Sequence, residues 1–200
     1  MPKKKAGPKK KVNSGSSQLE YWANETEYEL DTNHPHRQLI LDELKKLEPF
    51  AGVLEIGCNI GQNLSLIAAL YPETQLAGVD INARAIAQAQ QRLPKAILKV
   101  ANATYLPFSD KEFDVCIIDA VWMYIEDINQ AILEAIRVSR RAIILIDFDA
   151  KRERLIGHTF VRDYGKLLTL KGQKVNSIKI TTWLNPKWNK YGRLYVSHPQ

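Results

Sequence analysis

The sequence lacks long apolar segments and contains little cysteine, and both shortages narrow its possible functions. Apolar runs such as residues 142–146 fall far short of the roughly 20 residues that cross a bilayer. The lysine-rich start has no apolar stretch of the kind found in secretion signals. The two cysteines, Cys58 and Cys116, show neither a disulfide framework nor zinc-ligand spacing. We therefore expect a cytoplasmic protein with no membrane partner and no metal.

A surplus of positive charge is also missing once the first residues are set aside. Lys and Arg number 28 and Asp and Glu number 22, which gives a net charge of +6. Six of the lysines fall within residues 3–11, so the rest of the chain holds 22 basic and 22 acidic residues. Residues 1–17 combine these lysines with Pro, Gly and Ser, a composition that predicts a disordered tail. This tail could bind nucleic acid, but we favour a solvated extension, and residues 18–200 are predicted to form a single domain.

Strand-like and helix-like segments alternate from residue 37 to residue 171. The predicted strands are 52–56, 75–79, 96–100, 113–119 and 142–148, and the predicted helices are 37–47, 62–70, 83–93, 128–138 and 163–171. Such alternation indicates a parallel sheet that is covered on both faces. Residues 175–183 and 193–197 flank a turn-rich segment and predict an antiparallel strand pair. The expected fold class is α/β, with a Rossmann-like, doubly wound sheet of seven mostly parallel strands and helices on both faces.

A loop with two glycines follows the first predicted strand, in the stretch VLEIGCNIGQN at residues 53–63. In a doubly wound sheet, ligands lie beyond the carboxyl ends of the strands. Gly57 and Gly61 would let the backbone approach a ligand and the next helix pack closely, and Asn59 tolerates a left-handed backbone. We expect amide groups at the helix start to face the ligand, and a tight turn without a ligand is the alternative.

Polar residues also follow the next two predicted strands. The carboxylate of Asp80 can accept hydrogen bonds from both hydroxyls of a ribose, and capping of the next helix is the alternative role. Asn102 offers an amide that can pair with the amino group of adenine, or it serves as a turn residue. A dinucleotide site would require glycine at positions 59 and 62, where the chain has Asn59 and Gln62.

These motifs, taken in order, resemble those of the class I S-adenosylmethionine-dependent methyltransferases, type 11-like. The resemblance rests on EIGCNIG at 55–61, Asp80, NATYLPF at 102–108 and the stretch 113–138. A finer similarity links LEIGCNIGQNL and GHTFVRDYGKLL, through Gly157, His158, Arg162, Asp163 and Tyr164, to small methyltransferases associated with pseudaminic-acid and surface-glycan biosynthesis. The resemblance implies S-adenosylmethionine as the cofactor and a small-molecule or glycan-precursor acceptor.

The resemblance also implies which residues bind the cofactor. The ribose of the cofactor is expected to contact Asp80 and Ile81, and the adenine Asn102 and Ala103. The methionine portion is expected to contact Asp119 and Ala120. The residues expected at the amino-acid end of the cofactor are Glu55, Gly57, Cys58, Asn59, Gly61 and Asn63. Tyr21, next to Trp22, would close over the site.

Two residues are candidates for handling the acceptor. Tyr124 stands where many relatives place a histidine, so it could transfer a proton or simply pack. His158 follows the fifth strand and could act as a base, with a plain surface histidine as the alternative. A base is needed only if the acceptor holds its proton. Trp122, Trp183 and Trp188 are expected to be core or cap residues.

Two other functions stay open at this point. The basic tail could direct methylation to RNA or protein. A chain with the same fold could also be a non-catalytic nucleotide-binding or partner-binding module. The sequence gives no indication of the oligomeric state.

Overall fold

The computed structural model of the protein describes residues 18–25, 34–180 and 186–199. The predicted tail at residues 1–17 and Trp183 lie outside this part of the chain. Within the described residues, no helix is both long and apolar enough to span a bilayer.

Helices and strands alternate through most of the described chain. In order they are α1 (Gln18–Ala23), α2 (Pro35–Lys46), β1 (Gly52–Ile56), α3 (Gln62–Leu70), β2 (Gln75–Asp80), α4 (Ala83–Arg92), β3 (Ile97–Val100), β4 (Phe113–Asp119), a 3-10 helix (Trp122–Tyr124), α5 (Ile128–Val138), β5 (Ser139–Phe148), β6 (Arg154–Ile156), β7 (Thr159–Val161), α6 (Tyr164–Leu170), β8 (Gln173–Lys179), α7 (Pro186–Tyr191) and β9 (Gly192–Pro199).

A seven-stranded sheet forms the centre of the protein, in the order β3-β2-β1-β4-β5-β9-β8. β1 pairs in parallel with β2 and β4, so that Val53 lies between Leu76 and Val115. β9 runs antiparallel to both β5 and β8. The predicted fold class, a doubly wound and mostly parallel sheet with an antiparallel C-terminal pair, is confirmed.

Apolar side chains on the two faces of the sheet form separate cores. Successive residues of a strand point to opposite faces, so Val53 and Leu54 belong to different cores. Val53 packs in the core that includes residues of α2, α3 and α4, whereas Leu54 packs in the core that includes residues of α5 and α6. Helices therefore cover both faces of the sheet, as the alternation of segments predicts.

Two local predictions were incomplete. The turn-rich segment before β9 contains α7, whose Trp188 packs against Phe148 with ring centroids 4.3 Å apart. A small antiparallel hairpin, β6 with β7, interrupts the expected passage from the fifth strand to α6. Its strands have only three residues each, too few to show a period of two. This hairpin, residues 154–161, lies next to the site described below.

Candidate functional site

A cavity of about 830 Å³ opens at the carboxyl ends of β1, β2 and β4. Its size falls within the range of small-molecule sites. All the predicted site residues except Tyr21 and Gly61 line this cavity. The structure therefore brings together residues that are spread from position 55 to position 158 of the chain.

Gly61 and Tyr21 lie next to the cavity and do not line it. Gly61 has a φ of +78°, and a Cβ atom there would lie 3.0 Å from Leu93 Cδ1 and 3.3 Å from Ala89 Cβ. This glycine therefore permits α3 to approach α4 closely, which is the packing role expected for it. Tyr21 lies edge-on to Trp22, with ring centroids 5.1 Å apart, and Trp22 is the residue that lines the cavity.

The loop after β1 is tied to β2 through its backbone. The amides of Gly57 and Cys58 both donate to Val79 O, at 2.7 and 2.9 Å, and the amide of Asn59 donates to Asp80 Oδ2 at 2.9 Å. These three loop amides are therefore bonded within the protein, and the expectation that amides at the start of α3 face the ligand stays a prediction. Asn59 has the predicted left-handed backbone, with a φ of 48°.

Asp80 ends β2 on the cavity wall. Its two oxygens accept hydrogen bonds from the amides of Asn59 and Asn82, both at 2.9 Å. Burial raises the pKa of Asp80, and these backbone hydrogen bonds oppose that rise. The alternative of a helix cap does not hold, since the Asn82 side chain caps α4 by accepting from the amides of Arg84 and Ala85.

Asn102 follows β3 on the cavity wall, and its pairing with adenine stays a prediction. Its Oδ1 accepts a hydrogen bond from the Thr104 amide at 3.0 Å, so it does stabilise a turn. The residue also lines the cavity together with Ala103. Because the turn occupies the side-chain oxygen, the amide nitrogen is the better group for a ligand, and as a donor it suits a ring nitrogen of adenine and not the amino group.

Three polar side chains form a buried network at the ends of β1 and β4. Asn63 Nδ2 donates to Glu55 Oε1 at 2.7 Å and lies 3.2 Å from Asp119 Oδ2. Burial raises the pKa of Glu55 to about 8, against the lowering effect of the Asn63 hydrogen bond. Within the described residues, Glu55 Oε2 and Asn59 Oδ1 are buried and make no hydrogen bond. Asn59 Oδ1 is an acceptor, and Glu55 Oε2 becomes one when Glu55 loses its proton, so the two oxygens suit a ligand with hydrogen-bond donors, such as an amino group.

Sequence reasoning missed His36 and Arg37, which line the same cavity from α2. His36 Nδ1 lies 2.6 Å from Asp119 Oδ1, and Arg37 donates to Asn63 Oδ1 at 2.8 Å. His36 shares the buried stripe of α2 with Ile40 and Leu44. A histidine at an apolar stripe position was the signal in the sequence that could have revealed it.

Tyr124 lines the cavity from the 3-10 helix, where it packs against the Trp22 ring with centroids 4.8 Å apart. Burial, together with the nearby Asp147 carboxyl, raises the pKa of Tyr124 to about 12. The phenol is therefore neutral at physiological pH, able to donate a hydrogen bond but unsuited to accept a proton as a base.

The hairpin contributes His158, Leu155 and Phe160 to the cavity wall. His158 is exposed and lies in the turn between β6 and β7. Arg162, which directly follows the hairpin, is buried, and its guanidinium donates to the backbone oxygens of Trp122 and Ile125 at 3.1 and 2.8 Å. It thereby ties the hairpin to the loop that carries Tyr124. Trp122 itself is a core residue, as predicted.

Part of the chain is similar in sequence to known methyltransferases. A methyltransferase domain family model matches residues 54–146. Over 101 residues, 50% of this chain, the sequence is 30% identical to trans-aconitate 2-methyltransferase from Afipia carboxidovorans, and the match covers 38% of that protein. The chain matches between 33% and 41% of the length of such curated relatives.

Solved structures share the fold over most of the chain. Magnesium protoporphyrin IX methyltransferase from Synechocystis PCC 6803, with bound S-adenosylmethionine, has a TM-score of 0.71 at 15% identity, covering 94% of this chain and 100% of that one. The cyclase SpnF has a TM-score of 0.67 at 13% identity, covering 86% of both chains. At such low identity these likenesses establish the fold alone. Residues 54–146 thus match a methyltransferase domain model, within a chain that has the fold of these solved structures.

Proposed function

We propose that this protein transfers a methyl group from S-adenosylmethionine to a small-molecule acceptor. The observation that carries the proposal is the order of polar groups around one cavity. Asn102 follows β3, and Asp80, Glu55 and Asp119 lie at the ends of β2, β1 and β4. The four strands are neighbours in that order in the sheet. Because neighbouring strands are about 4.8 Å apart, the four groups form a row along the sheet edge that suits an extended ligand.

Each group then has a role that suits its chemistry. Asn102 and Ala103 would hold the adenine, and the Asp80 carboxylate, with Ile81, would accept hydrogen bonds from the ribose hydroxyls. Glu55 and Asn59 would receive the amino group at the other end, through oxygens that have no hydrogen-bond partner within the described residues. When bound, S-adenosylmethionine supplies a methyl group on a positively charged sulfur that departs as a neutral thioether.

The remaining side chains at this end of the sheet would hold the rest of the cofactor. Asp119 and Ala120 would form the wall beside the methionine portion, Gly57 and Cys58 the floor below it, and Asn63 the link between Glu55 and Asp119. Because the departing sulfur is a good leaving group, the main contribution of the protein is alignment of the two reactants.

A small acceptor agrees with the size and lining of the cavity. Its volume is about 830 Å³, and Trp22, Leu155 and Phe160 are among the residues that line it. Glycan precursors are the class that we favour, on the similarity that runs through Gly157, His158 and Arg162, and the cytoplasm is the expected location. The relatives named for trans-aconitate make that compound a useful first probe, although the match covers only 38% of the relative compared here.

Calorimetry with S-adenosylmethionine and with S-adenosylhomocysteine tests the cofactor site. We expect both ligands to bind the wild-type protein and Asp80→Asn to bind at least about tenfold more weakly, the loss expected for one hydrogen bond to a charged group. Asp110→Asn is the matched control, because Asp110 is an exposed carboxylate outside the cavity. Absence of heat with both ligands would contradict the proposal and favour a non-catalytic module.

Incubation with methyl-labelled cofactor and fractionated cell extract tests the acceptor class. We expect the label in small metabolites or glycan precursors. Label that enters only RNA or protein would overturn this part of the proposal and favour a macromolecular substrate.

A further inference from the structure

His36 and Asp119 form a buried pair on the cavity wall that the cofactor roles above leave unexplained. His36 Nδ1 lies 2.6 Å from Asp119 Oδ1, and the whole histidine is only 4% exposed. His36 comes from the first turn of α2 and Asp119 from the end of β4, which lie 83 residues apart in the chain. Both residues line the cavity.

The charges of the two residues follow from their surroundings. Burial lowers the pKa of His36, against the opposing effects of the hydrogen bond and charge of Asp119. Burial alone would raise the pKa of Asp119, but the hydrogen bond from His36 and the charges nearby reverse this, so the pKa of Asp119 is lowered. At neutral pH the pair is thus a neutral imidazole beside a carboxylate. Since a carboxylate only accepts, Nδ1 of His36 holds the proton and the lone pair is on Nε2.

We propose that His36, oriented by Asp119, is the general base of the reaction, and that the acceptor is therefore a nucleophile that holds its proton at neutral pH, such as a hydroxyl group. This inference rests on the proposed function. As the new oxygen–carbon bond forms, the hydroxyl proton passes to His36 Nε2, and the electron pair of the broken carbon–sulfur bond stays on sulfur. The imidazolium then loses its proton to water, so that no oxidant, metal or further reactant is required.

The other candidates along the cavity fit this role less well. Tyr124 is a neutral phenol at physiological pH because its pKa is raised to about 12. His158 is exposed at a hairpin turn, whereas a base is most effective when a neighbouring group fixes its ring. An acceptor carboxylate has already lost its proton at neutral pH, so an oriented base would have no purpose with such an acceptor.

The surroundings of His36 predict the pH dependence of the reaction. Among the described residues, the titratable and charged groups that act on it are Asp119 from β4, His34 just before α2, and Arg37 of α2, while the neutral Trp188 ring of α7 packs edge-on against it. The base is active when neutral and its pKa lies below 6.5. The wild-type turnover rate should therefore be level above about pH 6.5 and fall at lower pH, where the imidazole takes up a proton.

Nitrogen NMR of the cofactor-free protein tests the state of the pair without any turnover. Spectra of protein labelled with ¹⁵N-histidine should show one histidine with a proton on Nδ1 at pH 7 and a pKa below 6.5. The signal should vanish in His36→Asn, which assigns it. A His36 ring that carries protons on both nitrogens at pH 7, or a neutral ring whose single proton is on Nε2, would overturn the proposal.

Kinetics with the acceptor found by label transfer test the proton step itself. His36→Asn is the sharpest variant because its amide can still donate to Asp119 while it has no basic nitrogen. We expect unchanged cofactor affinity, a loss of about 100-fold or more in kcat, and a residual rate that rises with pH. His198→Asn is the matched control, since His198 lies on β9 outside the cavity and should retain wild-type activity.

The outcomes separate this inference from the proposed function. If the wild-type protein binds no cofactor and transfers no label, the proposed function fails and the inference fails with it. If the wild-type protein transfers label and His36→Asn does so equally well between pH 6 and pH 9, only the inference fails. If His158→Asn loses methyl transfer and His36→Asn does not, again only the inference fails. A labelled product that releases methanol in mild alkali is a methyl ester, so the acceptor was a carboxylate and the inference is wrong.

Discussion

The buried carboxyl of Glu55 makes the stability of the cofactor-free protein depend on pH. Its pKa is raised to about 8 in the folded state by burial, so the folded protein retains a proton that the unfolded chain has lost. The contribution of this group to stability is therefore complete below its ordinary pKa of 4.5 and is lost as pH rises toward 8. The slope over that window is at most about 1.4 kcal/mol per pH unit.

Glu55→Gln should remove this slope. We expect the variant and the wild type to have similar melting temperatures at pH 5, and the variant to melt several degrees higher at pH 8, with weaker cofactor binding. Thermal unfolding followed by circular dichroism across this range is the measurement. Glu73→Gln, at an exposed glutamate, should follow the wild type throughout. Parallel curves for Glu55→Gln and the wild type would show that Glu55 is ionised in the folded protein.

The positions of single residues could be predicted from the sequence where the fold alone determines them. Asp80 ends a strand on the ligand side of a doubly wound sheet, and Asn59 has the predicted left-handed backbone. His36 was missed because its place on the apolar stripe of α2 makes it look like a core residue. Its function depends on Asp119, which is 83 residues away, and no local pattern contains that information.

The loop between β1 and α3 depends on a backbone conformation that only glycine adopts easily. Gly61 and Gly172 have nearly the same φ, +78° and +75°, but a Cβ at Gly61 would meet Leu93 and Ala89, whereas a Cβ at Gly172 would meet nothing within 4 Å. Gly172→Ala therefore isolates the backbone strain, about 1–2 kcal/mol. Gly61→Ala should cost about 1–3 kcal/mol more because α3 and α4 must separate. Urea denaturation measures both losses in the free energy of unfolding. Equal losses would show that the space between α3 and α4 accommodates a methyl group without strain.

Arg162 holds the hairpin against the loop after β4. Besides the two backbone oxygens, its guanidinium donates to Glu153 at 3.0 Å and lies over the Phe160 ring. Lysine cannot reproduce these several hydrogen bonds, so Arg162→Lys should loosen the hairpin and the loop together. We expect faster hydrogen exchange in residues 122–126 and 154–161, and the same rates as wild type in β1 and β2.

Arg154→Lys serves as the comparison for this experiment, because Arg154 is exposed on the same hairpin. It should leave exchange in residues 122–126 unchanged. If Arg162→Lys exchanged at the wild-type rate in both segments, the contacts of Arg162 would not be what fixes the hairpin.

The larger elements could be predicted from the sequence because long apolar periods determine them. Helices α3 and α5 and strand β4 have the predicted bounds. The hairpin and α7 could not be predicted, since short strands give no period and α7 gains its stability from the packing of Trp188 on the sheet. The hairpin lines the cavity and α7 packs against His36, so this part of the cavity surroundings was less predictable than the strand ends.

The protein as a whole has a neutral body and a basic start. Removing residues 1–17 takes away six lysines and the entire net charge of +6. If the substrate is a small molecule, the shortened protein should methylate it at the wild-type rate in both low and high salt. Binding to nucleic acid, if present, should weaken and lose its salt dependence. A large loss of methyl transfer at low salt would instead favour an RNA or protein substrate.

A crystal structure of the protein soaked with S-adenosylhomocysteine tests the central claim most directly. We predict density for the ligand in the cavity, with the adenine beside Asn102, the ribose hydroxyls on Asp80 and the amino group on Glu55. A cavity that stays empty at saturating ligand, or one filled by side chains of the protein itself, would contradict the account.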